Sequence, residues 1–542
     1  MPDFLSNLQI MASPKTSRLM DLAAMDFGVP EIMLMENAAR AAADVMEQNF
    51  GDLRDAPVWL FMGNGNNGGD AAALARNLAD RGARPTLFCL KKTDQYSGAP
   101  AVNLDLALRD NVPIALIDAK SASSIFANLV SASRENPAII VDGLLGTGFA
   151  GELKPELATL IGKINEFARI NRVRVLALDI PSGLDAMSGE ASPVAIRADI
   201  TVTFAAYKSG LGPGRQWTGD VFVRDVGFPH AIFEKARPDG LVIDGRALLA
   251  PMKFTPNSYK NVYGSVALIG GAPGMGGAIC LAALAALRAG AGLVTVCAPS
   301  CALPQIRNFA PEIMTLDPGE NWEMAARDEV IEKLIAKDAI VVGPGMGSGG
   351  EKFLNALLSA KNRPPAIIDA DALKSLSRLS NARKIVREHD ILTPHPGEAG
   401  VLLDWTHSQV QSDRRAALAR LIDAYDAVCV LKGAYTLIGQ TGKTPVLCPY
   451  DLPRLAIGGA GDVLAGCLGA LLARRDCSSS LETAARGVIL HALTALMLGE
   501  RFQERGLIAE EVSNSLPQVL SWVRKLDKTG LQRGLCPWPG SF

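Results

Sequence analysis

The first half of the chain alternates short apolar runs with segments whose apolar residues recur at helical spacing. The apolar runs predict β-strands at residues 57–62, 85–90, 113–117, 138–141, 173–178 and 200–204. The helical spacing predicts helices at 71–80, 104–109 and 158–170, preceded by two helices that residues 28–30 separate. Alternation of this kind indicates an α/β fold, with a parallel sheet between two layers of helices.

The pattern is interrupted between residues 227 and 255, where Phe-Pro, Arg-Pro-Asp-Gly and Ala-Pro occur. We therefore place a domain boundary near residue 235 and predict domains at 1–235 and 236–542. Alternation then restarts, with strands predicted at 265–269, 293–297, 339–342, 366–368, 391–392 and 427–431. Helices are predicted at 278–289 and from Val463, and the tail from Asp527 is predicted to be irregular.

Composition excludes several classes of protein. The chain has 542 residues, 48% hydrophobic and 20% charged, and its net charge of −2 gives no case for nucleic-acid or membrane partners. The nine cysteines form no C-x-x-C pair, which favours a reducing compartment and a cytoplasmic protein. No signal-peptide pattern is visible, and the longest apolar run, 278–298, is interrupted by Arg288 and glycines. That run is predicted to be a buried helix followed by a strand.

Three polar segments rich in glycine follow predicted strands of the first half, at residues 63–70, 142–148 and 179–185. Ligands of parallel sheets bind at the carboxyl ends of the strands, so the three segments favour one shared site. Among their side chains, Asn67, Asp142 and Ser182 offer only oxygen atoms, a set suited to K⁺ or Mg²⁺ rather than to zinc.

The segment at 63–70 also satisfies G-x-G-x-x-G, the fingerprint of dinucleotide-binding loops, which is a weak signal by itself. In that fingerprint an acidic residue follows about 20 positions later and binds the ribose. This chain has Lys91-Lys92 after the second strand instead, which disfavours a hydride-transferring domain.

In the second half, turns rich in glycine and polar residues follow predicted strands at 270–277, 343–347, 369–372, 393–398 and 432–436. The glycine-rich segment 458–462 comes next and precedes the helix predicted from Val463. Together they indicate a crevice for a nucleotide and a substrate. Asp462 follows glycine amides that can bind an anion, so it is either a helix N-cap or a base beside a bound phosphate. His395, held between two prolines, is favoured as a site residue, and Lys432 can hold phosphates.

The motifs Gly-Asn-Gly-Asn-Asn-Gly-Gly-Asp, Asp-Gly-Leu-Leu-Gly-Thr-Gly and Asp-Ile-Pro-Ser-Gly-Leu-Asp, with Leu-Met-Glu-Asn-Ala-Ala and Tyr207-Lys208, resemble the NAD(P)H-hydrate epimerase family over about residues 15–230. The resemblance implies a Rossmann-like fold that interconverts the R and S hydrates of NADH and NADPH, with Asp179 handling the proton. It implies substrate contacts from Asn66, Asn67, Gly68, Gly69, Asp70, Gly146, Thr147, Gly148, Phe149, Ala150, Gly151 and Glu152. Asn67, Asp142 and Ser182 would bind K⁺. Ala71 departs from the glycine of many members.

Over about residues 245–525 the chain resembles the ribokinase-like NAD(P)H-hydrate dehydratases, through Gly-Pro-Gly-Met-Gly, Thr-Pro-His-Pro-Gly-Glu, Val-Leu-Lys-Gly-Ala and Gly-Gly-Ala-Gly-Asp-Val-Leu-Ala-Gly. The resemblance implies an ADP-dependent dehydratase, with Mg²⁺ bridging the nucleotide phosphates. The hydrate would contact Ala278, Gly345, Gly347, His395 and Asp462. ADP would contact Lys432, Gly433, Ala434, Tyr435, Thr436 and Gly461. Many members have His-Gly-x-Ala-Gly-Asp where this chain has His491-Ala-Leu-Thr-Ala-Leu, predicted to be a helix surface.

The two resemblances predict one metabolite-repair enzyme with two activities, acting on the hydrates NADHX and NADPHX. A homo-oligomer is expected, with no nucleic-acid or membrane partner. Two alternatives stay open on sequence alone. In one, the second half is a small-molecule kinase of the hydroxymethylpyrimidine or hydroxyethylthiazole type. In the other, the first half is a nucleotide-binding scaffold without activity.

Overall fold

The computed structural model describes residues 4, 8–117, 136–248, 257–501 and 505–529, and the chain divides into two units between Gly240 and Leu241. The strands of the first unit are β1 (Gln9–Ala12), β2 (Pro57–Met62), β3 (Arg84–Cys89), β4 (Ile114–Leu116), β5 (Ile139–Gly143), β6 (Arg174–Leu178), β7 (Ile200–Phe204), β8 (Tyr207–Lys208) and β9 (Asp220–Arg224). One seven-stranded parallel sheet has the order β4-β3-β2-β5-β6-β7-β9, and β1 pairs with β8. The sequence pattern did not predict β1, β8 or β9.

The helices of the first unit are α1 (Pro14–Phe27), α2 (Glu31–Phe50), α3 (Asn66–Asp80), α4 (Gly98–Arg109), α5 (Pro155–Asn171), α6 (Arg215–Thr218) and α7 (His230–Ala236). The predicted break between α1 and α2 is confirmed. The predicted starts of α3 and α4 are wrong, because α3 begins at Asn66 and α4 at Gly98. Both helices open with Asn, Gly or Pro, which have low helix propensity and carry no apolar pattern.

The strands of this sheet are apolar on both faces because helices cover both. Val58, Leu60 and Met62 of β2 pack in one buried cluster with residues of α2, α3 and α4. The intervening Trp59 and Phe61 pack in a second cluster with residues of α5. Continuous apolar runs are typical of parallel strands buried on both sides. The predicted three-layer α/β arrangement is confirmed.

The strands of the second unit are β10 (Gly240–Val242), β11 (Ser265–Ile269), β12 (Leu293–Cys297), β13 (Ile313–Leu316), β14 (Ala339–Val342), β15 (Ala366–Ile368), β16 (Ile391–Leu392), β17 (Val428–Leu431), β18 (Leu437–Gly439) and β19 (Val446–Leu447). Their order is β13-β12-β11-β14-β15-β16-β17-β18-β19-β10. All neighbours from β13 to β17 are parallel, whereas β18 is antiparallel to β17 and β19.

The helices of the second unit are α8 (Gly276–Arg288), α9 (Leu303–Phe309), α10 (Trp322–Ala325), α11 (Asp328–Ile335), α12 (Glu351–Ser359), α13 (Ala370–Ser377), α14 (Ala382–Ile385), α15 (Pro396–Leu403), α16 (His407–Ser412), α17 (Arg414–Tyr425), α18 (Ala460–Arg474), α19 (Ser480–Arg501) and α20 (Ala509–Thr529). The prediction of an irregular tail from Asp527 is wrong as far as Thr529, where α20 ends, and its remainder lies outside the described residues. Residues 480–499 of α19 are long and apolar enough to cross a membrane, but 89% of the most apolar window is buried, as in a core helix.

Helix α18 packs unusually close to its neighbours because it presents glycine to them. A Cβ atom on Gly466 would lie 1.9 Å from the carbonyl oxygen of Ala282 in α8. A Cβ atom on Gly469 would lie 2.4 Å from Cγ2 of Val341 in β14. Any larger residue at either position would push the helix off the sheet, so the two glycines fix the position of α18.

A buried ion pair joins the segments that lead into β15 and β16. Both side chains, Arg363 and Asp390, are 0% exposed, and Arg363 Nη1 donates to Asp390 Oδ1 at 2.7 Å. The backbone N–H groups of Ala366 and Arg387 also donate to this carboxylate, at 2.9 and 2.8 Å. Both oxygens of Asp390 therefore have hydrogen-bond partners. The negative charge of Asp390 is compensated in the core by Arg363, so removal of Arg363 would leave a buried charge without its cation.

Replacing Arg363 with Met is expected to lower the free energy of unfolding of the second unit by about 3–5 kcal/mol, since it leaves a buried carboxylate without its cation. Denaturant unfolding of the full chain, followed by tryptophan fluorescence, measures this change. Arg378→Met is the matched control, because Arg378 is 64% exposed in its pair with Glu351 and such pairs contribute little. Equal midpoints for the two variants would contradict the prediction.

Candidate active sites

The three polar segments predicted in the first unit lie together, because they follow the neighbouring strands β2, β5 and β6. The N–H of Gly63 donates to the carbonyl of Gly143 at 3.0 Å. A Cβ atom on Gly63 would lie 1.7 Å from the carbonyl oxygen of Leu144, and one on Gly143 would lie 2.7 Å from the Cβ of Ala71. Glycine is therefore required where these loops touch.

The predicted cation ligands come from these loops. Asp142 accepts from the Ser182 hydroxyl at 2.6 Å and from the Ser182 N–H at 2.7 Å. Asn67 Nδ2 donates to the carbonyl of Leu145 at 2.7 Å, while Asn67 Oδ1 is buried and, within the described ranges, has no hydrogen-bond partner. Burial raises the pKa of Asp142 to about 6. A hard cation would satisfy the Asn67 oxygen and offset the cost of the buried charge, so these residues fit K⁺.

A cavity of about 1220 Å³ opens beside these loops. The predicted substrate residues that line it are Asn66, Asn67, Asp70, Gly146, Thr147, Gly148, Phe149, Ala150 and Asp179. Gly68 and Gly69 are buried and do not line the cavity. A Cβ atom on Gly68 would lie 2.3 Å from the Gly63 oxygen, and one on Gly69 would lie 2.8 Å from Met35 Sδ. Gly151 and Glu152 follow the lining segment and are exposed. The structure thus brings most of the predicted set to one cavity.

Asp179 follows β6 with φ +61, a left-handed conformation that non-glycine residues rarely adopt, Asn and Asp most often. Its Oδ1 lies 2.6 Å from Lys208 Nζ, 3.1 Å from the Thr203 hydroxyl and 3.3 Å from the Phe204 N–H. Lys208, only 3% exposed, also donates to the Phe204 carbonyl at 2.7 Å. The sequence analysis used Lys208 only as part of a motif and missed its contact with Asp179; a lone lysine between buried residues was the available signal.

The cavity also concentrates carboxylates around the single buried cation Lys208. Burial, and then the charges of Asp179, Asp21 and Glu31, raise the pKa of Asp70 well above its usual range. Burial also raises the pKa of Asp21 to about 6. Asp21 and Glu31 line the cavity from α1 and α2. Neither residue was predicted, because the sequence pattern pointed to no site residue on these two helices.

In the second unit, the turns after β11, β14 and β15 meet at the carboxyl ends of their strands. A Cβ atom on Gly345, which has φ +57, would lie 3.0 Å from the Cβ of Ala278. The N–H of Gly347 donates to Asp371 at 2.9 Å. The predicted substrate residues Ala278, Gly345 and Gly347 are therefore close neighbours.

Lys432 joins these turns to the following ones. Its Nζ lies 2.6 Å from Asp369 Oδ1 and 3.8 Å from Glu398 Oε2, and Asp369 also accepts from the Thr393 hydroxyl at 2.7 Å. Burial acts to lower the pKa of Lys432, but Asp369 and Glu398 outweigh it and raise the value overall. A Cβ atom on Gly461 would lie 3.5 Å from Lys432 Nζ, so the start of α18 borders the lysine.

Asp462 lies in the first turn of α18. The N-cap of this helix is Gly459, with φ +91, so the alternative in which Asp462 caps the helix is wrong. Burial, followed by the charge of Asp369, raises the pKa of Asp462 to about 7, and Lys432 opposes the rise. A carboxyl group that titrates near neutral pH in a polar crevice is suited to accept a proton.

His395 has a structural role as well as a place near the site. It is the N-cap of α15, with Nδ1 accepting from the N–H groups of Gly397 at 3.0 Å and Glu398 at 3.2 Å. Glu398 accepts in return from the His395 N–H at 2.9 Å, which completes a capping box. The side chain is 56% exposed, and its Nε2 lies 3.3 Å from Oε1 of Glu398, the residue that approaches Lys432.

The predicted nucleotide segment, residues 432–436, forms the tight turn between β17 and β18. Gly433 has φ +132 and Tyr435 has φ +53. The Thr436 hydroxyl donates to the Gly433 carbonyl at 2.9 Å, with Ala434 and Tyr435 between them. Residues 433–436 follow Lys432 directly, and Lys432 Nζ borders the start of α18.

The prediction that His491 lies on a helix surface is wrong. The residue is 7% exposed in α19, and its neighbour Ala492 is 5% exposed. Burial, followed by the charge of Lys432, lowers the pKa of His491 to about 4, while a backbone hydrogen bond with Ala460 opposes the shift. The neutral imidazole lies next to Ala460, the first residue of α18. Helix α19 is buried on most sides, so no polar stripe in the sequence marked its orientation.

Comparison with known proteins covers both units. The family described as NAD(P)H-hydrate dehydratase matches residues 266–518, and the family described as YjeF-related protein N-terminus matches residues 31–210. The bifunctional NAD(P)H-hydrate repair enzyme Nnr of Coxiella burnetii is 34% identical over 511 residues, which are 93% of this chain and 98% of the relative. The enzyme of the same name from Escherichia coli is 33% identical over 505 residues, which are 92% of this chain and 91% of the relative.

Among solved structures, the ADP/ATP-dependent NAD(P)H-hydrate dehydratase of Bacillus subtilis is 27% identical, with a TM-score of 0.44 over 51% of this chain and 96% of that one. The full-length relatives confirm the predicted family and argue against a lone small-molecule kinase. The chain belongs to the family of bifunctional NAD(P)H-hydrate repair enzymes.

Proposed function

We propose that the chain carries out both repair reactions, epimerisation of NADHX and NADPHX in residues 1–235 and ADP-dependent dehydration of the S hydrate in 236–542. The observation that supports the proposal is a partly buried carboxyl group near a lysine in each unit, Asp179 beside Lys208 and Asp462 near Lys432. Each is placed to exchange a proton with a ligand. The thiols of the eight described cysteines are free, which supports the cytoplasm as the compartment.

For the epimerase, the chemistry of the hydrate defines the task. Water adds to an enamine at the carbon bonded to nitrogen, so the hydrate carries its hydroxyl on a hemiaminal carbon. R and S forms interconvert when that carbon loses its fixed configuration and regains it. Asp179 handles the proton in this exchange. Asn67, Asp142 and Ser182 would hold K⁺, which supplies fixed positive charge beside the cavity.

For the dehydratase, the hydroxyl must become a better leaving group. Asp462 takes the hydroxyl proton while the oxygen attacks the terminal phosphate of ADP, so that AMP departs. The phosphate then leaves with its bonding electrons, the adjacent carbon loses a proton, and the double bond of NADH is restored. Lys432 and the amides of residues 433–436 and Gly461 hold the phosphates. Mg²⁺ bound with the nucleotide would neutralise part of their charge.

One assay separates this proposal from its alternatives. A mixture of R and S NADHX is incubated with purified full chain, ADP and Mg²⁺, and NADH absorbance is recorded. Two active sites return all of the hydrate to NADH. A dehydratase with an inactive first unit recovers only the S fraction, and a small-molecule kinase recovers none.

Replacing Lys208 with Met is expected to lower the rate of R-to-S exchange by about 10²-fold, because the side chain that holds Asp179 is removed. Chiral chromatography of the hydrates without ADP measures the rate. Lys208→Arg should keep part of the activity, since it keeps the charge. Lys163→Met is the control, because Lys163 is 45% exposed and pairs with Glu166 on α5. An unchanged rate in Lys208→Met would refute the role.

A further inference from the structure

The cavity of the first unit holds two carboxyl groups in opposite surroundings, Asp70 and Asp179. Asp179 Oδ1 faces three donors, Lys208 Nζ at 2.6 Å, the Thr203 hydroxyl at 3.1 Å and the Phe204 N–H at 3.3 Å. Asp70 lies one turn into α3, beyond the free amides of the helix start. Within the described part of the chain, no group donates a hydrogen bond to its carboxyl group. The two carboxyl groups therefore differ in the hydrogen-bond donors around their oxygen atoms.

The charges around Asp70 add to this contrast. Asp70 is 9% exposed. The charges of Asp179, Asp21 and Glu31 raise its pKa, and the charge of Lys208 lowers it. That cation already contacts Asp179. Burial and the like charges raise the pKa of Asp70 well above its usual range, so its protonated form is favoured more than in an exposed carboxyl group. Asp21, with a pKa raised to about 6, is mostly ionised at neutral pH.

We propose that Asp70 is the proton donor of the epimerisation and Asp179 its acceptor. This inference rests on the epimerase function proposed above and assigns its acid and base. A carboxyl group without hydrogen-bond donors among the described residues, as at Asp70, suits a proton donor, and one that faces three donors, as at Asp179, suits a proton acceptor. The two groups come from different elements, α3 and the loop after β6, so they can reach the hydroxyl-bearing carbon from different directions.

The proposed step is the loss and return of water at the hydroxyl-bearing carbon. The Asp70 acid gives its proton to the hydroxyl of the hydrate, and the C–O bond breaks with its electron pair leaving on water. The lone pair of the ring nitrogen forms a C=N bond, which gives a planar iminium carbon. A water molecule attacks that carbon from the other face, the C=N electrons return to nitrogen, and Asp179 takes the proton of the attacking water. The proton passes back to Asp70 through water in the cavity.

The test compares Asp70→Asn with Asp80→Asn in the full chain, without ADP, by chiral chromatography of R and S NADHX. Asp80 is the matched control because it lies at the other end of α3 with its side chain 63% exposed. Asp70→Asn is expected to lower kcat for exchange about 10²-fold, without a matching rise in KM. The wild-type rate should fall as the pH rises through the raised pKa of Asp70, where the donor loses its proton, and the variant should lack that fall. Formate should restore part of the activity of Asp70→Ala, which a structural role would not allow.

A second measurement follows the oxygen atom. In H₂¹⁸O the wild type is expected to place one solvent oxygen in each hydrate that changes configuration, because the hydroxyl leaves and water replaces it. Retention of the original oxygen would overturn the proposed step. A rise in KM with unchanged kcat in Asp70→Asn would overturn the donor role and show that Asp70 only binds the substrate. If the wild type itself exchanges no R and S hydrate, the epimerase function fails instead.

Discussion

Replacing Asp462 with Asn is expected to lower kcat for ADP-dependent dehydration by about 10⁴-fold, the upper end of the range for loss of a general base. Asn has the shape of Asp but cannot take the hydroxyl proton. Because α18 is capped by Gly459 and not by Asp462, the substitution removes no helix cap and the fold should persist. Recovery of NADH absorbance from pure S hydrate measures the rate. Asp476→Asn beyond the end of the same helix is the control, since Asp476 pairs only with Arg474 there.

The pH dependence of the same reaction follows from the sign of the shift. Burial raises the pKa of Asp462 to about 7, and the group acts as a base only when it is ionised. The dehydration rate should therefore hold steady above about pH 7 and fall about tenfold per unit below it. Asp462→Asn should lose this acid limb together with the activity. A wild-type rate that stays constant down to pH 5 would contradict the assignment.

Replacing Asp179 with Asn is expected to lower the rate of R-to-S exchange by about 10³-fold while dehydration of the S hydrate keeps its wild-type rate. Asn is chosen over Ala because Asp179 has φ +61, which Asn tolerates better than most residues. In a mixture of both hydrates with ADP, NADH absorbance should rise only as far as the S fraction. The R hydrate should remain, apart from its slow spontaneous exchange.

The two substitutions are each other's control, because each removes one proton-handling group and leaves the other. If Asp179→Asn also slows dehydration of pure S hydrate, the loss reflects a defect of the whole chain. If R-to-S exchange survives in Asp179→Asn, the assignment of the first site is wrong. Adding the Asp462→Asn protein to the Asp179→Asn protein should restore full recovery of NADH, since together they supply both steps.

The sequence predicted strands β2 to β7, β11, β12 and β14 to β17, because strands covered by helices on both faces are apolar throughout, but it did not predict β9, β10, β13, β18 or β19. Residues 57–62 and 265–269 are predicted and observed with the same bounds. Helix starts were predicted poorly. The helix at Asn66 opens with Asn-Asn-Gly-Gly, which has no apolar period, and its start depends on the close contact between Gly68 and Gly63.

For the sites, the sequence located the loops but not the charges between them. Glycine and polar residues in these loops predicted Asn67, Asp142, Asp179 and Asp462 as site residues. In the structure, Asn67 and Asp179 line the cavity of the first unit, Asp142 is buried beside Ser182, and Asp462 lies in the first turn of α18. The pairing of Lys208 with Asp179 depends on β8, a strand of two residues that no pattern could reveal. The burial of His491 depends on how α19 is rotated in the core, which an almost uniformly apolar helix does not encode.

The glycines that let α18 pack closely against its neighbours also affect how heating inactivates the second site. Gly466 meets Ala282 and Gly469 meets Val341 with no room for a side chain, so α18 cannot fray or shift without opening the core of its unit. Segments of this kind exchange their amide hydrogens only through global unfolding. Asp462 lies on such a segment, so heating should inactivate dehydration together with the cooperative unfolding of the unit, rather than through earlier loss of a mobile loop.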